Sequence, residues 1–572
     1  MSGDAHGQAD AWLDDFFAHY YARRPVNATF IGIHDHDREL PDCSDGGIAV
    51  TNRERRQLRV RLDEIAEEEC TQAQRHDLLL AGNHLDLQLM EDELPQFHGG
   101  NPSFYTGEAV FSVISLFQRD SEPLADRVEA AISRMRLFPE FLAQTRGQVR
   151  EAPIAWTERA IREARAGRAY FGDGLRILAN DRGIADPGFV DAAATAHRAF
   201  EEHLVWLENE LIHNPSEDFA CGRDTLDRYL ALGHCLPPGH DASWVEEFGR
   251  RALGQARERM VDQASRIDPA RSWEELLATL AKDHPTRDDY YATYTRIWNE
   301  ARDTAIAHEL VTWPDFPIEY VPIPRSDREA AEGLYYLYYR CPPPFGRRET
   351  HRYLVTPIEP EMPPEEQERR LRQCHHGAIK LNHVVHHGGL GHHVQNWNAF
   401  RAESRVGQIA GVDCASRIAM FCGGSLVEGW ACYATELMEE ARFLTPLEQL
   451  SERQTRLRMA ARAVVDCAMH TGAMTLDEAT DFYVRETAMS PAVAKSEAVK
   501  NSMFPGAAVM YLIGTDAIWD LRRAVQEREG LRFSLRGFHD RFLSFGAMPV
   551  ALIGEAMTAD DSPRFVEKAG SP

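Results

Sequence analysis

The sequence predicts a mainly α-helical protein with one small β-sheet. Through most of the 572 residues, apolar side chains recur at helical spacing. Only two short runs have the β-branched and aromatic composition of strands, PIEYVPI (317–323) and HRYLVTP (351–357). We therefore expect an N-terminal helical half (about 1–310), a small β element (about 317–357) and a C-terminal helical half (about 364–572).

The N-terminal half contains several segments with helical periodicity. Residues 7–22 carry aromatic side chains at helical spacing, and 52–93 indicates one long amphipathic helix or two. Residues 101–120 look less helical, and strong periodicity returns after Pro123. The predicted helices are 7–22, 52–93, 122–148, 155–168, 187–213, 242–266, 273–283 and 286–310.

The sequence of the C-terminal half predicts a series of helices separated by short breaks. Residues 364–387 are predicted to form one helix, because charged and apolar residues alternate there at helical spacing. Gly-rich or Pro-containing stretches predict breaks at 388–391, 445–446, 472–474 and 504–506.

Composition excludes some function classes. The formal charge of −26 argues against nucleic acid as a partner, because phosphate binding needs clustered Lys and Arg. No apolar run approaches the roughly 18 residues of a membrane span, and the first residues, MSGDAHGQADAW, lack the features of a secretory signal. The ten cysteines lie scattered, which indicates reduced thiols. We therefore expect a cytoplasmic protein with no membrane partner.

Two clusters of residues suggest a metal site. The first, CHHGAIKLNHVVHHGGLGHHVQNWN (374–398), holds seven of the 24 histidines of the chain within nineteen residues. The second, GGSLVEGWACYATELMEE (423–440), places Glu428 at the start of an apolar-periodic helix. Imidazole is the commonest protein ligand of zinc and related metals. Many zinc hydrolases take histidines from one helix and a glutamate from another.

The spacing within the first cluster departs from the usual zinc motif. His383 and His387 lie four residues apart, as in H-E-x-x-H, but Val384 follows His383 where that motif has its catalytic Glu. In the other register His386 is followed by His387, which again is not Glu. The glycines of 388–391 then interrupt the helix, so the two histidines at 392–393 could lie back toward His386. The alternative is a surface-exposed, histidine-rich helix that binds no metal.

A later helix offers supporting residues. Arg462, Asp466 and His470 lie four residues apart and so share one face of segment 453–470. Asp466 could orient the His470 imidazole, as carboxylates near metal sites do. The alternative is a polar pair with a structural role.

Five blocks of the sequence resemble a known family, the bacterial domain-of-unknown-function 885 proteins, and a sixth resembles its opening. The family pattern is HExxPGHHxQ, EGWAxYxExL, RxxxDxxxH, PGQALxYxxG and FHDxxLxxGxxP, in this order. The matching stretches are HHGGLGHHVQ (386–395), EGWACYATEL (428–437), RAVVDCAMH (462–470), PGAAVMYLIG (505–514) and FHDRFLSFGAMP (538–549). Together with the opening VNATFIGIHDHDRELPD (26–42), they extend the resemblance over nearly the whole chain.

The resemblance implies a fold similar to that of the carboxypeptidase Taq metallopeptidases. This zincin-like fold is a single helical body over residues 1–572 with a deep central cleft. Zinc or another divalent metal would be the cofactor, and a peptide or small molecule the substrate. The resemblance implies these site residues: metal ligands His386, His392 and Glu428, then His393; Tyr511 as a donor to substrate; Arg462, Asp466 and His470 as support; and Trp430 and Lys500 near the substrate.

Departures from the family pattern leave two classes of function open. The motif Glu is His387 here, its Pro is Leu390, and the Gln of PGQAL is Ala507. One hypothesis is a metal-dependent hydrolase of peptide or amide bonds in which His387 replaces Glu as general base or joins the metal. The other is a non-catalytic member that binds a ligand or partner in the cleft. The sequence also leaves open whether the protein forms a homodimer.

Overall fold

The computed structural model describes residues 2–120, 122–333, 342–346, 350–411 and 422–559. These residues are mainly helical, as predicted. The helices before the sheet are α1 (Ser2–Arg23), α2 (Pro25–Ile31), α3 (Asp45–Leu62), α4 (Gln72–Glu91), α5 (Pro102–Phe117), α6 (Leu124–Gln148), α7 (Ile154–Ala169), α8 (Leu175–Arg182), α9 (Pro187–Asn209), α10 (Arg223–Arg228), α11 (Ala242–Ile267), α12 (Trp273–Leu280) and α13 (Tyr290–Ala307).

A small sheet and a second set of helices follow. The sheet contains β1 (Ile318–Pro322) and β2 (His351–Val355). The further helices are α14 (Arg328–Gly333), α15 (Pro364–Gln373), α16 (His376–Ala378), α17 (His392–Ala399), α18 (Arg405–Ile409), α19 (Gly424–Glu440), α20 (Pro446–His470), α21 (Leu476–Thr487), α22 (Pro491–Met503), α23 (Met510–Glu529), α24 (Leu535–Ser544) and α25 (Val550–Ala559).

Short segments with other helical geometries join several of these helices. The 3-10 turns are Glu67–Glu69, Leu211–His213, Arg325–Asp327 and Gly530–Arg532. The π-helical segments are Tyr170–Gly174, Tyr229–Gly233 and Ile379–Gly388. The longest of the three lies in the histidine-rich cluster.

Short sequence signals fix the start of α20, the helix that carries Arg462, Asp466 and His470. Thr445 and Glu448 form a capping box, and Pro446 occupies the first turn. Glu448 also pairs with Lys380, whose Nζ lies 2.9 Å from its Oε2. The start of α20 is thereby attached to the histidine-rich segment.

Two predicted elements differ from the structure. Residues 101–120 contain helix α5, although the sequence looked less helical there. Most of α5 is buried, so it needs no polar face and shows little amphipathic pattern. Residues 364–387 do not form one helix: α15 ends at Gln373, and the chain restarts at His375, whose Nδ1 accepts from the Ala378 N–H and caps α16.

The sheet supports the histidine-rich segment. Its two strands are parallel, and Tyr320 pairs with Tyr353 in the register. The Tyr320 hydroxyl donates to the His383 carbonyl oxygen over 3.3 Å. The two predicted strands therefore form one layer beneath the candidate site.

The largest hydrophobic core joins distant parts of the chain. It extends from Ala9 in α1 to Met557 in α25 and includes residues of the sheet and of α19. The site-bearing helices therefore share a core with both ends of the described chain. None of the helices in the described ranges combines the length and apolarity of a membrane span.

Candidate metal site

The π-helix Ile379–Gly388 presents the histidines of the first cluster. Its backbone hydrogen bonds join residues five apart, so each turn contains more residues than an α-helical turn. Side chains four residues apart therefore do not stay on one face of the segment. Lys380 and His387, which an α-helix would put on one face, diverge: Lys380 donates to the Phe443 carbonyl oxygen, and the ring of His387 lies against those of His386 and His392. Lys380 and His387 therefore do not share one face, as they would if residues 364–387 formed one α-helix.

His383 belongs to the sheet side of the π-helix. Its Nδ1 lies 2.9 Å from the hydroxyl oxygen of Tyr353, and its ring also packs against Tyr294. Burial lowers the pKa of His383 to about 4. Among the described residues, the group of histidines close enough to share an ion does not include His383.

A short loop after the π-helix turns the chain back toward His386. The indole Nε1 of Trp298 donates to the Gly388 carbonyl oxygen over 2.7 Å, and that of Trp430 donates to the Leu390 carbonyl oxygen over 2.8 Å. A Cβ on Gly391 would lie 1.9 Å from the His386 carbonyl oxygen, so the turn requires glycine there. These contacts place His392 beside His386.

Three imidazoles and one carboxylate converge at this turn. His386, His387 and His392 offer ligand atoms that all lie within 4.8 Å of one another. Glu428 Oε2 lies 3.5 Å from His386 Nε2 and 3.8 Å from His392 Nε2. These distances are long for hydrogen bonds. Two ligands at 2.0–2.2 Å from a tetrahedral zinc ion lie about 3.3–3.6 Å apart. The 3.5 Å spacing falls within this range and the 3.8 Å spacing slightly exceeds it, so a small movement of His392 would let the donor set hold a divalent metal.

The charges of the cluster favour an ionised Glu428. Burial opposes its ionisation, but the nearby imidazoles of His386 and His392 and the charge of Lys500 outweigh burial and lower its pKa to about 2. Glu428 is therefore a carboxylate at neutral pH, which is the form that binds metals.

His387 is held in one orientation. Its Nδ1 lies 2.7 Å from the Asn382 carbonyl oxygen, which can only accept, so Nδ1 carries the proton. Burial and the neighbouring imidazoles of His386 and His392 lower the pKa of His387 well below 6.5. The ring is therefore neutral at pH 7, with the acceptor lone pair on Nε2.

His393 faces away from this group. Its Nε2 lies 2.7 Å from the Phe316 carbonyl oxygen, and its ring stacks on Phe316 with centroids 5.1 Å apart. Consecutive residues of α17 point in different directions, so His392 and His393 do not reach one ion together. The structure therefore replaces the expected ligand role of His393 with a packing role.

Arg462 and Tyr511 meet at the side of α20 that faces α23. The Arg462 guanidinium lies 4.6 Å from the centre of the Tyr511 ring, and its Nε donates to Glu497 Oε1 over 2.7 Å. Burial opposes ionisation of Glu497, but the charges of Arg462 and Lys500 lower its pKa to about 2. The charge of Lys500 acts on both Glu428 and Glu497, so Lys500 lies near both carboxylates.

Asp466 and His470 hold the chain segment before α23. The two carboxylate oxygens of Asp466 accept from the N–H groups of Gly506 and Ala508 over 3.0 and 2.8 Å. His470 is fully buried, and its Nε2 lies 2.9 Å from the Asn501 carbonyl oxygen. This residue and Asp466 therefore position the segment that leads to Tyr511, and a direct part for His470 in catalysis stays a prediction.

Helices α19 and α23 cross in direct backbone contact. A Cβ on Gly429 would lie 2.6 Å from the Gly514 carbonyl carbon, and a Cβ on Gly514 would lie 1.9 Å from the Ser425 carbonyl oxygen. Thr515 Oγ1 donates to the Gly429 carbonyl oxygen over 3.3 Å. This crossing fixes Glu428, next to Gly429, relative to Tyr511, one turn before Gly514.

Sequence reasoning missed four residues that shape this site. Asn382 and Trp298 gave no signal, because their roles depend on the π-helix and on a helix distant in sequence. Glu497 lies one turn before Lys500 in α22, which could have indicated a charged partner for Arg462. Gly514 closes the block PGAAVMYLIG and could have indicated a close helix contact.

These observations define the class of the protein: a mainly helical chain with a buried site in which histidines from a π-helix and from α17 meet a glutamate of α19. Residues 25–557 match the family described as "Bacterial protein of unknown function (DUF885)". The chain belongs to this family. No curated protein matches it.

Two solved structures share the fold. One is described as "a putative lipoprotein of unknown function from Shewanella oneidensis"; it is 21% identical, with a TM-score of 0.76, over 96% of this chain and 99% of that chain. The other is "the putative lipoprotein from Colwellia psychrerythraea", 16% identical with a TM-score of 0.76, over 97% of this chain and 98% of that chain. At these identities the likeness concerns the fold.

Proposed function

We propose that the protein is a metal-dependent hydrolase of peptide or amide bonds, with His386, His392 and Glu428 as ligands of zinc or another divalent ion. The observation that carries the proposal is the spacing of the Glu428 carboxylate from two imidazole nitrogens, 3.5 and 3.8 Å. Two histidines and one glutamate are the ligand set of several zinc peptidases. The finer fold we propose, a carboxypeptidase Taq-like body with a deep cleft, rests on the sequence blocks alone.

The residues around the ligands have distinct chemical tasks. A bound ion would act as a Lewis acid toward a substrate carbonyl group and would promote ionisation of water. His387 presents the acceptor Nε2 of a neutral imidazole, so it can take a proton as a general base or serve as a third imidazole ligand. Tyr511, held against Arg462, would donate a hydrogen bond to the substrate.

A second candidate function is the binding of a small ligand or partner without catalysis. The observation that favours it is His387 itself, because a neutral imidazole lacks the negative charge of the Glu expected at this position. Both candidates use the same residues, and they differ in whether a metal-loaded protein hydrolyses a substrate.

Metal analysis tests the proposed site. Protein purified without a histidine tag, loaded with Zn²⁺ and dialysed, should contain about one ion per chain. Glu428→Gln and His386→Ala should each lower metal affinity by more than about tenfold, because each removes a ligand. His376→Ala is the matched control: His376 lies in the same histidine-rich segment, but its Nδ1 bonds Asp283.

Two results would count against the proposal. If loaded wild-type protein retains no ion, the hydrolase is excluded and the ligand-binding alternative stands. If Glu428→Gln retains full stoichiometry, Glu428 is not a ligand. A peptide and amide panel assayed with and without chelator then separates hydrolysis from binding.

Location and partners stay predictions. The word lipoprotein describes the two structures with the shared fold, and it differs from the cytoplasmic location expected for this chain. The expected partner is a peptide or a small molecule, with neither nucleic acid nor membrane, and homodimer formation stays open.

A further inference from the structure

A polar cavity lies beside the part of α19 that follows Glu428. Its volume is about 490 Å³, and residues of α11, α19, α20 and α23 line it. Its charged lining residues are Arg259, Glu436, Glu439, Glu452, Arg453, Arg456, Asp516, Asp520 and Arg523. The aromatic side chains of Phe248 and Trp519 complete the wall.

The cavity is distinct from the metal site. Glu436 follows Glu428 by eight residues on α19, which is about 12 Å along a helix axis. Cys432, Met459 and Thr515, all buried, lie on the same three helices between the two regions. The Cys432 thiol is close enough to both for its pKa to respond, after the effect of burial, to Glu428 on one side and to Glu436 and Glu452 on the other.

Glu452 is a buried acid of the cavity that lacks a hydrogen-bonding or ion-pair partner among the described residues. Its exposed fraction is 5%, and it faces the cavity. Within the described ranges, neither a hydrogen bond nor an ion pair reaches its carboxylate. A buried carboxylate without a partner is costly in free energy, so a site that retains one is suited to a ligand that supplies the partner.

The neighbouring arginines are already engaged. Arg453 binds Glu439 through both Nη atoms, at 2.7 and 3.0 Å. Arg456 pairs with Asp516, and its Nη1 lies 3.7 Å from Glu436. Glu452 is therefore the buried acidic side chain of the cavity that neither of these arginines pairs with.

The arrangement of these carboxylates favours an organic cation over a metal ion. Among the residues that the structure describes, the histidine cluster is the one group of three donor atoms close enough for an ion, and the cavity carboxylates are too far apart to form another. A ligand that spans about 490 Å³ can reach separated carboxylates with separated charges, and Trp519 and Phe248 can contact an alkyl chain between them.

We propose that this cavity binds an organic cation with protonated primary amines, and that Glu452 accepts a hydrogen bond from one ammonium group. A charge-assisted bond in a buried setting provides much of the affinity of such a site. The proposal does not depend on the metal site, because none of the lining residues is a candidate ligand.

Calorimetric titration with 1,4-diaminobutane tests the proposal on the full chain at pH 7. Saturable binding is expected in wild-type protein, with or without Zn²⁺. Glu452→Gln should weaken binding by about tenfold or more, because glutamine cannot give up a proton to become the carboxylate that pairs with the ammonium. The matched control is Glu258→Gln, an exposed carboxylate on α11 that does not line the cavity.

The outcomes are decisive in both directions. Weaker binding in Glu452→Gln with unchanged binding in Glu258→Gln supports the site. Two results would overturn the proposal. One is the absence of saturable binding to wild-type protein at millimolar diamine. The other is equal weakening in both variants, which would indicate general charge attraction. Thermal unfolding of wild-type protein with the diamine, where a rise in Tm is expected, gives a readout that does not depend on how the variants fold.

Discussion

The hydrogen bond between His387 and Asn382 determines what His387 can do. With the proton fixed on Nδ1 by the Asn382 carbonyl oxygen, 2.7 Å away, the ring offers Nε2 as a base or ligand. The His387 imidazole is neutral at pH 7, which is the form in which histidine binds metals. It lacks the negative charge of a carboxylate general base. We therefore expect the proposed hydrolase to cleave ordinary peptides slowly, well below the rate of a variant that carries the family glutamate at position 387.

Restoring the family residue tests this interpretation. In His387→Glu the carboxylate cannot donate to the Asn382 carbonyl oxygen, so it should turn toward the imidazoles of His386 and His392. Hydrolysis of a small peptide panel should then rise by about tenfold or more in the metal-loaded protein, because a positioned general base contributes at least that much. The measurement is the initial rate for each peptide with and without chelator.

His387→Gln serves as the control for this change. Glutamine has the same length as glutamate but cannot act as a base, so it should not raise the rate. Strong, chelator-sensitive cleavage by unmutated protein would contradict our expectation and make His387 a working base.

At the residue scale, the sequence predicted the residues that converge in the candidate site better than it predicted the side chains around them. His386, His392 and Glu428 could be named from the block resemblance, and the structure brings them together. His393 could not be separated from His392, because the direction of each ring depends on how Phe316 packs against α17. Glu497, the partner of Arg462, belongs to a helix that no motif connects with the site.

The contact between α19 and α23 is the element-scale feature on which the site depends. Their backbones meet at Gly429 and Gly514, and any side chain there must separate the helices. Because Glu428 precedes Gly429, a change in this crossing moves the Glu428 carboxylate relative to His386 and His392.

Gly514→Ala tests the crossing. Its Cβ would lie 1.9 Å from the Ser425 carbonyl oxygen, so the helices must shift, and the free energy of unfolding should fall by about 3 kcal/mol. Zinc affinity should fall as well. Urea unfolding and zinc titration measure the two effects.

Gly254→Ala provides the comparison for that variant. Gly254 is a helical glycine of α11 with open space around its Cβ position, so alanine should stabilise the protein by about 0.5–1 kcal/mol. If Gly514→Ala behaves like Gly254→Ala, the close crossing does not limit packing.

The sequence predicts helices that have one polar and one apolar face. It gives only a weak helical signal for a helix that is almost entirely buried. Residues 122–148 are amphipathic, and α6 occupies Leu124–Gln148. Helix α5 has little polar surface, so its periodicity is weak. The break after Gln373 and the π-helix that follows depend on tertiary bonds such as those from Tyr353 and Trp298, which local spacing does not reveal.

The whole molecule carries a formal charge of −26, so ionisation of a further buried acid in the folded state is unfavourable. Glu452 is such an acid: burial, then the charges of Glu436 and Glu439, raise its pKa well above 4.5, while Arg453 and Arg456 oppose the shift. Across the cavity it faces Asp516 of α23 and Arg259 of α11.

The raised pKa predicts how stability changes with pH. An unfolded chain releases the Glu452 proton near pH 4.5, whereas the folded protein holds it to higher pH. The contribution of Glu452 to stability is therefore present below about pH 4.5 and is lost as the pH rises through the folded pKa. Glu452→Gln does not titrate, so its free energy of unfolding should fall less between pH 5 and pH 8 than that of wild-type protein.

Urea unfolding at several pH values measures this difference, and Glu258→Gln again serves as the control. The Glu258 side chain is exposed and does not line the cavity. The free energy of unfolding of Glu258→Gln should therefore change with pH as that of wild-type protein does. Parallel curves for wild-type protein and Glu452→Gln would show that Glu452 is ionised in both states across this range.

The π-helix Ile379–Gly388 has a consequence for how this family can change over time. A segment wound with extra residues in each turn can lose one residue and close again as an α-helix, with its ends still attached to α16 and to the loop before α17. Such a deletion would rotate a different pair of side chains toward Glu428. Insertions and deletions within these ten residues thus give descendants a route to new ligand sets without replacing a single histidine.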